Sequence, residues 1–449
     1  HNEVITQSQH GASNGTDVAD THMMYQHQLQ VGMPQIVSND NISNIGHDDI
    51  VPQVVHEQAV FNEANVVQDM SQAWKHLTQS YYPVRRIAGS ISEFIQVVCA
   101  LVDLIVDRSG ETASQATIIL LSLPIIASTR LHGTSGVRAK RALYMRLFSL
   151  LEAQDLVLKS TEVLQWCLHG LDRPVVQDIV YDEEGLIPDS LLDRMSHLIS
   201  VGRTGKALSV FEDRVYGKNQ TAYELPNLMD LLHRLHPQRN IDDALPVLGD
   251  EVPTMTLTDE DISTGLSNLP KLSAAGLSGW TYELLQEVGA DDEGLKAMKK
   301  LFNHMLSNKA PMSNLWNASK LVPILKPDGN VRPIAVVDAW TRLLGRIVAR
   351  KVERALSDVL APYQCGVGVK GGCENIVHIV NNAAQHGKAV LTVDFKNAFN
   401  SIRRRFIMTQ IDQAYPDLCP YFMWAYGRST PIYLSDGRFV GYSETGVRQ

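Results

Sequence analysis

Between Met70 and Pro237 apolar residues recur every three to four positions. They do so in segments near 91–106, 114–128, 137–153 and 188–201, with Pro, Gly and Asp between them. That period predicts amphipathic helices, and two further helical units come next at 202–217 and 222–236, closed by Pro237. The longest apolar tract, 117–128, falls short of the ~18 residues of a membrane span and reads as a buried helix. Ahead of Met70 the pattern is lost. Asn, Gln, Asp, His and Ser dominate and apolar residues stand alone, so residues 1–70 read as a disordered leader.

Beyond a linker at 238–258 the pattern becomes mixed. Thr258 is placed to cap a helix, with Asp261 supplying the reciprocal carboxylate. Short β-like runs occupy 321–325, 332–337, 389–395, 432–434 and 439–442, with helices between them. Ser435-Asp436-Gly437-Arg438 is a turn signal that joins the last two runs into a hairpin. The pattern as a whole predicts an α+β fold behind an all-α lead-in, without internal repeats or heptads.

Composition adds bounds. The chain has 449 residues, 44% of them hydrophobic, enough for two or three domains at ~150 residues each. Five cysteines are scattered with no C-x-x-C pair, which argues against a zinc knuckle or disulfide framework and fits a reducing intracellular compartment. The chain opens on His1 without a secretory signal, suggesting a cut or processed left end.

The net charge of −9 hides an asymmetry. Residues 1–80 carry nine acidic side chains and one basic, net −8, whereas residues 320–410 carry fourteen Lys/Arg against six Asp/Glu, net +8. The second segment could meet a polyanion, or it could be an ordinary solvated face. The same two readings apply to Arg130, Arg138, Lys140, Arg141 and Arg146, which cluster at one helix start.

The strongest chemical signal is Ala389-Val-Leu-Thr-Val-Asp-Phe-Lys-Asn-Ala-Phe-Asn-Ser-Ile-Arg403. An apolar strand would deliver the Asp394 carboxylate at its end, a rigid mount for a hard cation such as Mg²⁺. The structural alternative is an Asp that caps the next helix, with Phe399 in the core. Upstream, Lys320 to Ile334 reads as two strands joined by Pro327-Asp328-Gly329, with Lys326 and Arg332 on opposite arms. A guanidinium fork and an ammonium point charge suit a triphosphate, although any surface hairpin can carry one of each. A glycine-rich segment, Tyr363-Gln-Cys-Gly-Val-Gly-Val-Lys-Gly-Gly372, lies between the two.

In their order these segments resemble the reverse transcriptases of non-LTR (LINE-type) retrotransposons. Lys271-Leu-Ser-Ala-Ala-Gly-Leu-Ser-Gly-Trp280 resembles their first fingers motif, 321–336 the second and 362–380 the following Q-x-G segment. Residues 391–403 look like motif A, and Ser443-Glu-Thr-Gly-Val-Arg-Gln449 like the opening of motif B. Residues 188–237, with Gly205-Lys-Ala207 and Leu235-His-Pro237, resemble the helical segment that precedes the fingers. Residues 1–187 match nothing.

The resemblance implies a right-hand polymerase: fingers over 258–388 and an incomplete palm over 389–449, behind a helical extension (71–237) and the leader. It implies an RNA-directed DNA polymerase, a nucleotidyltransferase using Mg²⁺ or Mn²⁺. RNA template, DNA primer and deoxynucleoside triphosphates would be the partners, in nucleus and cytoplasm, with no membrane and with oligomeric state open. Asp394 would be the catalytic metal ligand and Phe399 the steric gate against a ribose 2′-hydroxyl. Lys326 and Arg332 would contact the triphosphate, and Phe395 and Gln449 the incoming nucleotide.

Two positions depart from the pattern. Ser278 stands where the family often has an acidic residue, and at Gln449 the chain stops short of the family's Gly-Asp-Pro and Tyr-x-Asp-Asp hairpin. Residues 1–449 alone would therefore be inactive. The pairs Asp48-Asp49, Asp242-Asp243 and Asp291-Asp292 are not substitutes, the last reading as a helix start. The neighbouring readings are a group II intron maturase-like reverse transcriptase and a non-catalytic nucleic-acid-binding remnant.

Overall fold

The computed structural model describes residues 87–448 apart from 129–137, 149–188, 211–220 and scattered single positions. The leader, most of the helix expected at 137–153, much of 202–217 and Gln449 therefore lie outside the described residues. Every described residue belongs to one unit, Val60–Gln449.

In chain order the helices and strands are α1 (Ile91–Asp107), α2 (Gly110–Ser128), α3 (Asp189–Ser200), α4 (Leu228–Leu235), α5 (Asp259–Ser267) and α6 (Tyr282–Gly289). Then come α7 (Asp292–Leu306), α8 (Ser313–Trp316), β1 (Ser319–Leu325), β2 (Val331–Val336), α9 (Ala339–Leu360) and α10 (Gly372–Gln385). The chain continues with α11 (Ala398–Ser401), α12 (Arg404–Ala414), α13 (Cys419–Tyr426), β3 (Thr430–Leu434) and β4 (Phe439–Ser443).

α1 buries Phe94, Val97, Val98, Leu101, Val102 and Ile105, one stripe of a 3.6-residue period. α2 is apolar around its circumference, and Ile118, Ile119, Leu120, Leu121 and Leu123 are all buried, as expected of a helix enclosed on every side. Its hydroxyls are satisfied locally: Thr117 donates to Ala113 O at 2.9 Å and Ser122 to Ile118 O at 2.8 Å.

The helical extension shares a core with the mixed region after the linker. Trp340 is met edge-on by Trp280 at 5.2 Å, Phe302 at 5.9 Å and Trp316 at 6.5 Å between ring centroids, and Phe94 of α1 stands 5.8 Å from Trp280. The Trp280 indole N–H donates to Leu120 O of α2 at 2.9 Å. Aromatic pairs of this kind add roughly 0.5–1.5 kcal/mol each beyond area burial. The linker at 238–258 thus separates two sequence patterns but not two cores.

One sheet runs β2-β1-β3-β4. β1 pairs antiparallel with β2 (Leu321 opposite Ala335) and parallel with β3 (Ser319 opposite Ile432), and β3 pairs antiparallel with β4. Leu228 and Leu232 of α4 cover one face over Leu321, Val331, Ile432, Leu434 and Val440. The sheet therefore joins strands on both sides of the fingers–palm boundary expected at 388.

Local capping agrees with the sequence. Thr258 Oγ1 accepts from Asp261 N at 3.2 Å, and the Asp261 carboxylate accepts from Thr258 N at 2.9 Å. Asp291 accepts from Glu293 N and Gly294 N at 3.0 Å each, so the 291–292 acidic pair begins a helix.

One expected element is absent. Residues 389–395 are irregular, with Val390, Leu391, Val393 and Phe395 exposed. A strand exists through hydrogen bonds to a neighbour, and among the described residues no strand pairs with this segment. Its apolar run marks a potential for burial that no described element takes up.

The segment 274–280 lies directly on 337–338. A Cβ at Gly276 would come within 2.8 Å of the Asp338 backbone, so this position requires glycine. The Ser278 hydroxyl donates to Asp338 Oδ2, and Trp340 N donates to Oδ1 at 2.9 Å. An acidic side chain at 278 would set two buried carboxyls face to face, which accounts for the serine. Burial pushes Asp338 up from the ordinary carboxylate range to about 6, against the hydrogen bonds from Ser278 and Trp340 and the nearby Arg342 guanidinium.

Because the folded value lies above the unfolded one, the contribution favouring the fold is complete below pH ~4 and is lost as pH rises through about 6. Asp338→Asn should remove that slope. Urea midpoints of the two proteins should diverge between pH 4 and 7 in favour of the variant, by up to about 3 kcal/mol at one pKa unit per ~1.4 kcal/mol. Parallel pH profiles would show that Asp338 is ionised at no such cost.

Candidate active site

The β1–β2 hairpin turns tightly. Lys326 N donates to Asn330 O at 2.7 Å, Gly329 N donates to Lys326 O at 3.0 Å, and Gly329 has φ 78°, which favours glycine. Arg332 stands opposite Ile324, and Lys326 comes two positions after Ile324. Both cations line one cleft.

A second segment, 394–401, is fixed by polar contacts rather than by a sheet. Asn397 adopts φ 55°, which Asn tolerates, and its Nδ2 donates to Leu235 O at the end of α4 at 2.9 Å. Asn400 Nδ2 donates to Asn397 Oδ1 at 3.1 Å and Ser401 Oγ to Asn397 O at 2.8 Å.

The third segment, 443–448, lies against the second. Gly446 N donates to Ile402 O at 3.0 Å and Val447 N to Phe399 O at 2.7 Å. A Cβ at Gly446 would come 2.4 Å from Phe399 O, and φ there is 70°. No other residue fits.

Arg404 holds this segment in place. Its side chain is 1% exposed. It donates to Gly446 O at 2.9 Å, Tyr426 O at 3.0 Å and Ser443 Oγ at 2.8 Å. A planar fork of five N–H donors can satisfy several carbonyls at once where an apolar side chain would orphan them. Arg448 continues the network to Asn317 Oδ1 at 2.7 Å and Ala425 O at 3.1 Å. Both guanidiniums lie over the Tyr426 ring, at 5.4 and 4.5 Å. Burial, with Arg448 beside it, draws Arg404 down to about 10. Burial works to raise the Tyr426 phenol, but the two cations outweigh it and hold the group below its ordinary range.

Between the hairpin, α4 and 394–401 opens a cleft of about 850 Å³. Lys326, Arg332, Asp394, Phe395 and Phe399 all line it, although some 60 residues separate Arg332 from Asp394 in sequence. Gln449 lies outside the described residues. Asp394 makes no hydrogen bond or ion pair among the described residues and is exposed. Phe399 is 51% exposed, so it is not a core residue. Arg234, Lys396 and Asn397 also line the cleft. Sequence reading missed these three, because Arg234 carries no motif and Lys396 and Asn397 sat inside one without a stated role.

Among the described residues no group of three or more His, Cys, Asp or Glu side chains is placed to hold a metal ion, and no helix is long and apolar enough to cross a membrane. Two carboxylates line the cleft, and Asp394 is the one that no hydrogen bond among the described residues engages. Mg²⁺ is commonly held by one or two carboxylates together with substrate phosphates, so this donor fits part of such a site. Elsewhere, Arg141 of the upstream basic cluster pairs with Glu93 at 2.6 Å.

No family model matches the chain. Over 192 residues, 42% of its length, it is 27% identical to the 132 kDa protein of the retrotransposable element SLACS from Trypanosoma brucei gambiense. It spans 15% of that relative's length. The chain is thus related to a retrotransposon protein.

Two variants test this geometry. Arg404→Met should lower unfolding free energy by on the order of 3 kcal/mol, because several buried carbonyls lose their donor, and should speed hydrogen exchange over 443–448. A stability loss without faster exchange there would show that the guanidinium does not hold the segment. Phe399→Ala should change stability by less than about 1 kcal/mol, as for a surface side chain, whereas a core Phe costs ~3–5 kcal/mol. A melt in the latter range would return Phe399 to the core.

Proposed function

We propose that the chain is the nucleotide-binding part of an RNA-directed DNA polymerase of a non-LTR retrotransposon, with the cleft as its site for the incoming deoxynucleotide. The observation that carries this reading is the convergence of Asp394, Lys326, Arg332 and Phe399, from segments distant in sequence, on one cleft. The likeness to a retrotransposon protein supports it.

In this reading Lys326 and Arg332 bind the triphosphate, the ammonium as a point charge and the guanidinium as a fork. Phe395 contacts the nucleotide beside Asp394, and Phe399 stands beneath the sugar and excludes a 2′-hydroxyl by contact. Gln449 completes the nucleotide contacts. Asp394 supplies an oxygen ligand for Mg²⁺, which when bound offsets charge on the triphosphate and orients it. Binding in a fixed geometry is a large part of what such a site contributes to phosphoryl transfer.

The test needs no turnover. A primer ended with a dideoxynucleotide on an RNA template should be retained more tightly by the chain when the next complementary deoxynucleotide and Mg²⁺ are present. Asp394→Asn should abolish that nucleotide-dependent gain while leaving binding of the primer–template alone similar. Phe399→Ala should keep the gain with the deoxynucleotide and acquire one with the matching ribonucleotide. Retention that ignores the nucleotide would sink the polymerase reading and favour a non-catalytic nucleic-acid-binding protein.

A further inference from the structure

Arg234 belongs to α4, outside both segments that carry the hairpin and the Asp394 carboxylate, yet it lines the same cleft. Its helix is firmly seated. Leu228 and Leu232 are buried on the sheet, and the His233 ring bonds Val440 O at 2.8 Å. Asn397 ties the helix end at Leu235 O to the segment that bears Asp394. Arg234 itself is exposed, and its Nε donates to Asp230 O one turn back at 3.3 Å.

The charges around the cleft are unbalanced. Arg234, Lys326, Arg332 and Lys396 line it, and none of them forms an ion pair among the described residues. Of the two carboxylates there, Asp328 is engaged by Asn330 N at 3.0 Å and Asn330 Nδ2 at 2.9 Å. Asp328 keeps its charge and faces that of Lys326, so two carboxylates stand against four cations in the cleft. Like charges gathered in a concave site repel one another and raise the local concentration of a polyanion.

We infer that Arg234 is a further phosphate-binding residue of this cleft, supplied by the helix that precedes the hairpin. The inference rests on the cleft being the nucleotide site. It adds that the helical extension contributes to the site directly and is not only a scaffold. The ligand chemistry is a phosphoanion, with two sources: the triphosphate of a nucleotide or the backbone of a strand.

The experiment measures binding by the full chain and by its Arg234→Gln and Arg332→Gln variants in two arms. One arm uses tripolyphosphate with Mg²⁺, the other a single-stranded RNA oligonucleotide without terminal phosphates. Arg234→Gln should weaken one arm by about threefold or more, a modest effect suited to an exposed charge. Loss in the first arm assigns Arg234 to the triphosphate. Loss in the second, with the salt slope reduced by ~0.7, assigns it to the strand. Melting temperatures should match wild type, since the side chain is exposed.

If Arg332→Gln weakens binding and Arg234→Gln does not, the inference fails and the nucleotide site stands. If Arg234→Gln weakens binding and Arg332→Gln does not, Arg234 holds phosphate and the assignment of the hairpin is wrong. Wild-type protein that binds neither probe overturns both.

Discussion

The Arg404 guanidinium is the contact on which the site geometry rests. It is buried and donates to the end of α13, to β4 and to the loop after it. The buried Gly446 carbonyl would otherwise be an acceptor without this donor, a cost of roughly 1–3 kcal/mol. A buried cation without a carboxylate partner is itself costly, and the carbonyls and the Tyr426 ring offset that cost. Through Gly446 and Val447 the same loop holds the backbone of Phe399 and Ile402. A strand is therefore not needed to fix the segment just after Asp394.

The rest of the fold supplies a rigid frame around this contact. The aromatic cluster on Trp340 couples α1 and α2 to the helices before the sheet. α4 covers one sheet face with Leu228 and Leu232. The extension thereby touches the core at one end and the cleft at the other.

Against that frame, residues 372–395 present apolar side chains outward. Ile376, Val377, Ile379 and Val380 of α10 are exposed, as are Leu391 and Val393. The spacing along α10 is that of a helix face meant for burial, and no described element covers it. Residues 372–395 are for this reason loosely packed beside the helices that surround Trp340.

Periodicity alone was enough to locate α1, α2, α3, the β1–β2 hairpin and the β3–β4 hairpin, because their apolar spacing, capping residues and turn signals are local. The Thr258–Asp261 cap and the helix start at Asp291 were legible for the same reason. So were Lys326, Arg332, Asp394 and Phe399 as candidates, since each sits in a motif. Four things were decided only in three dimensions. The run 389–395 has strand composition, but a strand depends on a partner elsewhere in the chain. Nothing local sets Arg404 apart from Arg403 and Arg405, and distant carbonyls enclose it. Ser278 acquires its reason only when Asp338, sixty residues away, is folded beneath it. Arg234 carries no motif, and it joins the cleft because the burial of Leu228 and Leu232 fixes which way its helix faces. Short-range spacing encodes elements, whereas pairing, burial of charge and convergence on a cleft depend on contacts between residues far apart in the chain, which no local pattern records.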